Sequence, residues 1–302
     1  MDQQVSIGAL TLKNPVIAAS GTFGYGLEYE GFFDVSRLGG ICSKGLSLAP
    51  RAGNPPPRIR ETAAGMLNAI GLANIGVEAF CTDKLPALRD VGATVIANIF
   101  GTSVEDFVAL AERLDREEGI AAIEVNISCP NVTKGGLEFG VDPAAAAAVT
   151  KAVRGATRHP VWVKLSPEAG RVADVARACE QAGADALSAI NTIRGLSIDI
   201  ETRRPHLANR TGGLSGPAIK PVAVRMVWEV CQAVRIPVIG VGGITTAADA
   251  IEFMMVGATA VQVGSASFRD PLATINVAEG IRTFCERKGL DARELTGQAL
   301  LG

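Results

Sequence analysis

Eight short apolar runs punctuate the chain: VIAAS (16–20), GICSK (40–44), TVIANI (94–99), AIEVN (122–126), VWVKL (161–165), ALSAIN (186–191), PVIGVG (237–242) and AVQVG (260–264). Each is nearly continuously apolar. A strand with one face in water alternates polar and apolar residues; a parallel strand covered on both faces does not. Helical patterns fill most of the intervals. SVEDFVALAERLDREEG opens on Ser103 as N-cap, with Asp106 three residues on as a carboxylate variant of the capping box. DPAAAAAVTKAVRGAT has Asp142 as cap and Pro143 at the first helical position, where a missing N–H costs nothing. GRVADVARACEQAGA and TTAADAIEFMMVGA each end at a glycine suited to the left-handed residue that follows a helix. The last helix follows Pro271 and runs to about Lys288.

Strands and helices in this alternation predict the α/β class and a (β/α)8 TIM barrel, with residues 1–302 forming one domain. VSIGALTL reads as a small N-terminal β-hairpin turning at Gly8, at the barrel bottom. Two long insertions, 46–74 with its RAGNPPPR segment and 194–217, follow strand ends. Both are therefore expected on the C-terminal face, which carries the chemistry in this architecture.

Composition narrows the function. The chain has 302 residues, 48% of them hydrophobic and 20% charged, with a formal net charge of −2. That is a globular composition with no electrostatic case for nucleic acid. The start, MDQQVSIGAL, lacks the basic and apolar regions of a signal peptide, and no apolar stretch reaches the ~20 residues of a spanning helix. The expectation is a soluble cytoplasmic protein without a membrane partner. Cys42, Cys81, Cys129, Cys179, Cys231 and Cys285 are widely spaced and form no C-x-x-C, so no metal is expected on this chain. His159 starts a strand and His206 lies in an irregular segment, so a general base must be another residue type.

Five of the cysteines read as small buried hydrophobes. Cys129 differs. In NISCPNVTKGG (126–136) an apolar run turns polar at Asn126, meets the thiol and stops at Pro130, with Gly135 and Gly136 following. A thiol at a strand mouth, on a loop expected to open and close, is a candidate for chemistry.

The runs end in Ser20, Lys44, Asn98, Asn126, Lys164, Asn191, then Gly242-Gly243 and Gly264-Ser265. Loop starts are polar in any protein, but two lysines and three asparagines at matching positions go further. GVGGIT and VGSAS lead toward helices, so their backbone N–H groups can meet an anion; the loops after the last two strands are the common phosphate site of such barrels. GVGGIT is not G-x-G-x-x-G, so no dinucleotide fingerprint is present. Asparagine side chains offer a donor and an acceptor together and match the edge of a lactam or urea. Lys164 fits either a Schiff-base lysine or a fixed cation beside a cofactor ring.

NISCPN, VKLSP, GMLNAIGLAN, GGLSGPAIKP and GVGGI with VGS, in that company and from LKNPVIAASGTFGYG to the last strand, resemble the dihydroorotate dehydrogenase family. The resemblance implies an FMN-containing barrel that oxidises dihydroorotate to orotate in pyrimidine synthesis. Cys129 and the lack of an N-terminal extension resemble the cytosolic class 1; NVTKGGLEFG and KLSP resemble its 1B type. That type implies a partner subunit carrying FAD and a [2Fe–2S] cluster, which passes electrons to NAD+, and a homodimer of this chain at the core of a heterotetramer. Cys129 corresponds to the base that removes the C5 proton while a hydride passes from C6 to the flavin N5. Asn68, Ala69, Ile70, Gly71, Leu72, Asn126, Asn191 and Thr192 correspond to the substrate site, with Lys44 near both substrate and flavin. Ser20, Lys44, Gly45, Asn98, Asn126, Lys164, Ile190 and Gly216 correspond to FMN contacts, Lys164 by the N1/O2 edge. Gly242, Gly243, Gly264 and Ser265 correspond to the phosphate site. Three alternatives stay open: a class 1A-like enzyme working alone with fumarate, a non-catalytic flavin-binding subunit, and a Schiff-base aldolase or isomerase using Lys164; a dihydropyrimidine dehydrogenase-like domain shares the cysteine motif but implies further iron–sulfur motifs that the sequence lacks.

Overall fold

Continuously apolar strands need cover on both faces, and a closed barrel ringed by helices supplies it. The computed structural model of the protein describes residues 1–128 and 139–300. Along the chain, a hairpin of β1 (Val5–Ile7) and β2 (Leu10–Leu12) precedes β3 (Val16–Ala18) and β4 (Gly40–Cys42). A first insertion holds β5 (Ile59–Thr62) and β6 (Gly65–Asn68). Then come β7 (Val95–Ile99), β8 (Ile120–Asn126), β9 (Val161–Lys164) and β10 (Ala186–Ala189). A second insertion holds β11 (Ile193–Leu196), β12 (Ile198–Asp199), β13 (Arg204–Pro205) and β14 (Thr211–Ser215), before β15 (Val238–Val241) and β16 (Ala260–Val263). The closed barrel runs β10-β15-β16-β3-β4-β7-β8-β9, so every predicted run contains a barrel strand.

Helices α1 (Gly76–Ala79) and α2 (Leu85–Asp90) flank a π turn, and are followed by α3 (Val104–Asp115), α4 (Pro143–Ala156), α5 (Val172–Gln181), α6 (Lys220–Ala233), α7 (Ala247–Met255), α8 (Ala266–Arg269) and α9 (Ala273–Lys288). The crossover from β3 to β4 is made by two 3-10 turns, Leu27–Tyr29 and Val35–Arg37. Asp142 caps α4 by accepting from the N–H groups of Ala144 and Ala145, with Pro143 at the helix start. At α3 the capping-box expectation is corrected. Ser103 accepts from Asp106 N–H, but the Asp106 carboxylate turns back one residue further, to the Thr102 N–H (2.8 Å) and hydroxyl (2.7 Å). Thr102 offers two donors where Ser103 N–H offers one, which decides the contest. Gly183 and Gly257 follow α5 and α7 with φ of 97° and 122°, as a helix stop requires.

The hairpin buries Val5, Ile7 and Leu12 in the main core. Gly8 turns it beside Asp185, directly before β10, which puts the hairpin at the end opposite the mouth. No helix among the described residues is long and apolar enough to cross a membrane.

The two insertions do more than cover one face. They pair into a single antiparallel sheet, β11-β14-β6-β5, with Gly213 opposite Asn68 and Ser215 opposite Met66. Glycines make this join possible. A Cβ on Gly212 would lie 2.6 Å from the Asn68 carbonyl oxygen, and one on Gly65 would lie 1.9 Å from the Ser215 carbonyl oxygen. We expect Gly65→Ala to unzip β6 from β14 while sparing the barrel. Limited proteolysis should then cut the 59–68 hairpin at least tenfold faster, with far-UV circular dichroism unchanged.

Candidate active site

Parallel closure brings the C-terminal ends of all barrel strands to one mouth, and there they surround a cavity of about 670 Å³. That is ample for a cofactor and a small substrate. Ser20, Lys44, Gly45, Asn98, Asn126, Lys164, Ile190, Asn191 and Thr192 all line it. From the insertion sheet and its flanks come Asn68 to Leu72 and Gly216, and from the last two barrel loops come Gly242, Gly243, Gly264 and Ser265. Cys129, Gly135 and Gly136 lie outside the described residues; Ser128, immediately before Cys129, lines the cavity.

The floor is polar. Asn98 on β7 stands opposite Glu124 on β8, and its Nδ2 donates to Glu124 Oε1 at 2.8 Å. Because a carboxylate only accepts, this bond fixes the amide orientation and leaves Asn98 Oδ1 as an acceptor. That oxygen is buried without a partner among the described residues. Glu124 itself is fully buried. Cys42 Sγ also donates to Oε1 (3.2 Å), while Ser188 Oγ and Gln262 Nε2 donate to Oε2 at 2.7 and 2.6 Å. Lys164 Nζ lies 3.7 Å from Oε1. Burial pushes the Glu124 carboxyl up, but the Lys164 charge and the donors from Ser188, Gln262 and Cys42 outweigh it and hold the group below its ordinary value. Sequence reading missed Glu124, Ser188 and Gln262 because each sits inside an apolar run. The available signal was the two-residue spacing of Glu124 and Asn126, which puts both on one face of β8.

The rim carries amides. Asn126 Oδ1 accepts from Ser128 N–H (3.2 Å) and Asn191 Nδ2 (3.3 Å), and Asn191 Oδ1 accepts from Thr192 N–H at 2.8 Å. Asn68 Nδ2 donates to the Gly213 carbonyl at 3.2 Å. These bonds lock each amide so that its remaining edge can read a planar ligand.

The far end is built from backbone. Gly216 and Gly243 have φ of 98° and 76°. A Cβ on Gly243 would stand 2.7 Å from the Gly216 carbonyl oxygen. Only glycine lets these loops close together and present main chain to an anion. The first turn of α7 is already filled. Asp249 accepts from the N–H and hydroxyl groups of Thr245 and Thr246 and from Lys220 Nζ at 2.7 Å.

No histidine is among the residues lining the cavity. Burial pushes the Cys81 and Cys179 thiols up to about 11 and Cys231 up to about 12, so these are inert hydrophobes.

The sequence profile described as dihydroorotate dehydrogenase matches residues 3–285. The chain is 57% identical to the "Dihydroorotate dehydrogenase B (NAD(+)), catalytic subunit" of Geotalea uraniireducens (strain Rf4), over 98% of this chain and 97% of the relative. It is 57% identical to the protein of the same description in Trichlorobacter lovleyi (strain ATCC BAA-1151 / DSM 17278 / SZ), over 97% of each. The figure is 55% for that of Geobacter metallireducens (strain ATCC 53774 / DSM 7210 / GS-15), over 98% of this chain and 97% of the relative.

Asp249 gives the α7 end a pH signature. Burial raises its carboxyl, but the Lys220 ammonium and the Thr245 and Thr246 donors outweigh this and hold it well below 3.8. A depressed folded value means stability that is complete above the unfolded value and lost as pH falls through the folded one. We expect Asp249→Asn to cost roughly 1–3 kcal/mol at neutral pH. The gap from the unmodified protein in urea unfolding should be equal at pH 7 and pH 5 and smaller at pH 3.

Proposed function

The chain belongs to the dihydroorotate dehydrogenase family, and from that premise we propose that it is the FMN-bearing catalytic subunit of a type B enzyme. It oxidises dihydroorotate to orotate in pyrimidine biosynthesis, and the electrons reach NAD+ through a partner subunit. The observation that carries this reading is the convergence of the named flavin and substrate positions on one cavity, Cys129 alone lying outside the described residues.

The residues present fit FMN. Asn98 Oδ1 is a buried acceptor in want of an N–H, which the flavin ring offers. Gly243 and Gly216 let their loops pack against each other without side chains between them, and both line the cavity. Gly242, Gly243, Gly264 and Ser265 would hold the phosphate through main-chain N–H groups. Ser20, Lys44, Gly45, Asn98, Asn126, Ile190 and Gly216 would hold the ring, and Lys164 would bring a positive charge to it. Bound there, FMN supplies the acceptor for the hydride leaving C6 of the substrate.

The chain's own residues do the remaining work. Asn68, Asn126, Asn191 and Thr192 orient the dihydropyrimidine by its amide edges, with the main chain of 69–72 against it. Lys44 offsets its carboxylate charge. Cys129 takes the C5 proton, which requires a thiolate or a relay, because a free thiol is only slightly ionised at neutral pH. We assign FAD and a [2Fe–2S] cluster to the partner subunit, and to this chain a single FMN-binding domain in a homodimer at the core of a cytoplasmic heterotetramer.

The Schiff-base alternative asks Lys164 to be a nucleophile, and the carboxylate beside it opposes that. The fumarate alternative is less well supported than the NAD+ route that the relatives' names carry.

The FMN-loaded chain, titrated anaerobically with dihydroorotate, should bleach in the visible flavin band. A yellow protein that stays oxidised even with its partner subunit present would sink the substrate assignment. Cys129→Ala should keep FMN and bind orotate while losing on the order of 10² or more in flavin reduction rate at neutral pH. Cys129→Ser should be partly active and improve as pH rises.

A further inference from the structure

Glu124 has no role in the proposed reaction, yet four side chains donate to its carboxylate. On β8 it lies one inward step below Asn126, sealed from solvent. Its donors come from around the barrel: Cys42 on β4, Asn98 on β7, Ser188 on β10 and Gln262 on β16. On the cavity side it meets Lys164 Nζ at 3.7 Å, on a side chain that is itself 7% exposed.

A packing role alone would not call for a charge. Glutamine has the same shape, and the Ser188 hydroxyl and Gln262 amide can each reverse donor for acceptor to suit it. What glutamine cannot supply is the counter-charge for Lys164. A buried ammonium without one pays its desolvation unrelieved and leaves or neutralises. Lys164 faces two neighbours of unlike kind, Glu124 below and the cavity above.

We propose that Glu124 is the positioning residue of the site: its carboxylate pins the Lys164 ammonium to the cavity floor, and Lys164 in turn meets the flavin. The proposal rests on the reading that FMN occupies this cavity.

The test uses the full chain as wild type, Glu124→Gln, Lys164→Met and the double variant. FMN affinity is read by quenching of flavin fluorescence. Acylation of Lys164 by acetic anhydride at pH 8 is read by peptide mass spectrometry, with Lys44 in the same cavity as internal reference. Glu124→Gln should bind FMN at least tenfold more weakly. Its Lys164 should be acylated at least fivefold faster relative to Lys44. In the Lys164→Met background the same substitution should change FMN affinity less than threefold. Unchanged affinity and labelling in Glu124→Gln overturns the proposal. So does an equal loss in both backgrounds, because the effect then bypasses Lys164. Should Glu124→Gln not fold, Glu124→Asp decides, since it keeps the charge and shortens its reach. Weaker FMN binding in a folded Glu124→Asp supports the proposal, and wild-type binding overturns it. A wild-type chain that binds no FMN fails the underlying reading before any variant is compared, and the proposal falls with it.

Discussion

A carboxylate sealed inside a barrel persists only if donors surround it, and the floor of this site is arranged around that requirement. Desolvating the ion costs several kcal/mol. Hydrogen bonds to a charged acceptor return roughly 1.5–3 kcal/mol each. Glu124 collects such bonds from Cys42, Asn98, Ser188 and Gln262, and they offset that cost together with the Lys164 charge. The donors come from separate strands, so the carboxylate ties together elements that otherwise meet through backbone ladders and apolar packing. Its hold on Asn98 Nδ2 is also what turns the Asn98 oxygen to a position without a partner among the described residues.

The mouth is built on a different constraint. Insertions following β4 and β10 pair as β14 against β6, and glycines stand where their backbones crowd most. Gly65, Gly212 and Gly213 admit the Ser215 carbonyl, the Asn68 carbonyl and the Thr192 hydroxyl where a Cβ would collide. The join brings Asn68 and Thr192 to either side of Gly213 on β14, and both line the cavity. A small second core of Leu67, Ala69 and Leu207, with Leu214 against it, holds this sheet apart from the barrel's own core. The rigid floor and the added mouth are therefore separate packing units with a shared cavity between them.

Much of this was legible in the chain. Continuous apolar runs marked the barrel strands, Asp142 and Pro143 marked a helix start, and the glycines of GVGGIT and VGSAS marked loops that line the cavity. Pairing of β6 with β14 was not legible, because register between distant segments has no local signature. The helix-free crossover from β3 to β4 was hidden for a related reason: short 3-10 turns lack periodicity. Glu124 was hidden by averaging, since one charged residue does not change the reading of IAAIEV as a buried strand. Lys164 was legible as an inward lysine but ambiguous in kind. A nucleophilic lysine is activated when it lacks counter-charge, so only the carboxylate 3.7 Å away separates the two chemistries.

Strand β8 links the floor to the rim. Glu124 and Asn126 share its inner face, and Cys129 follows three residues after Asn126. The floor charge and a cavity-lining amide are thus set by the register of one strand. A slip of one residue would turn Ile123 and Val125 into the barrel and bury two polar groups among the helices. That register is fixed on both sides, by Asn98 opposite Glu124 and by Lys164 opposite Asn126. The residues that flank the strand at this register also line the cavity or its floor, so the barrel's closure and the site's geometry rest on the same pairings.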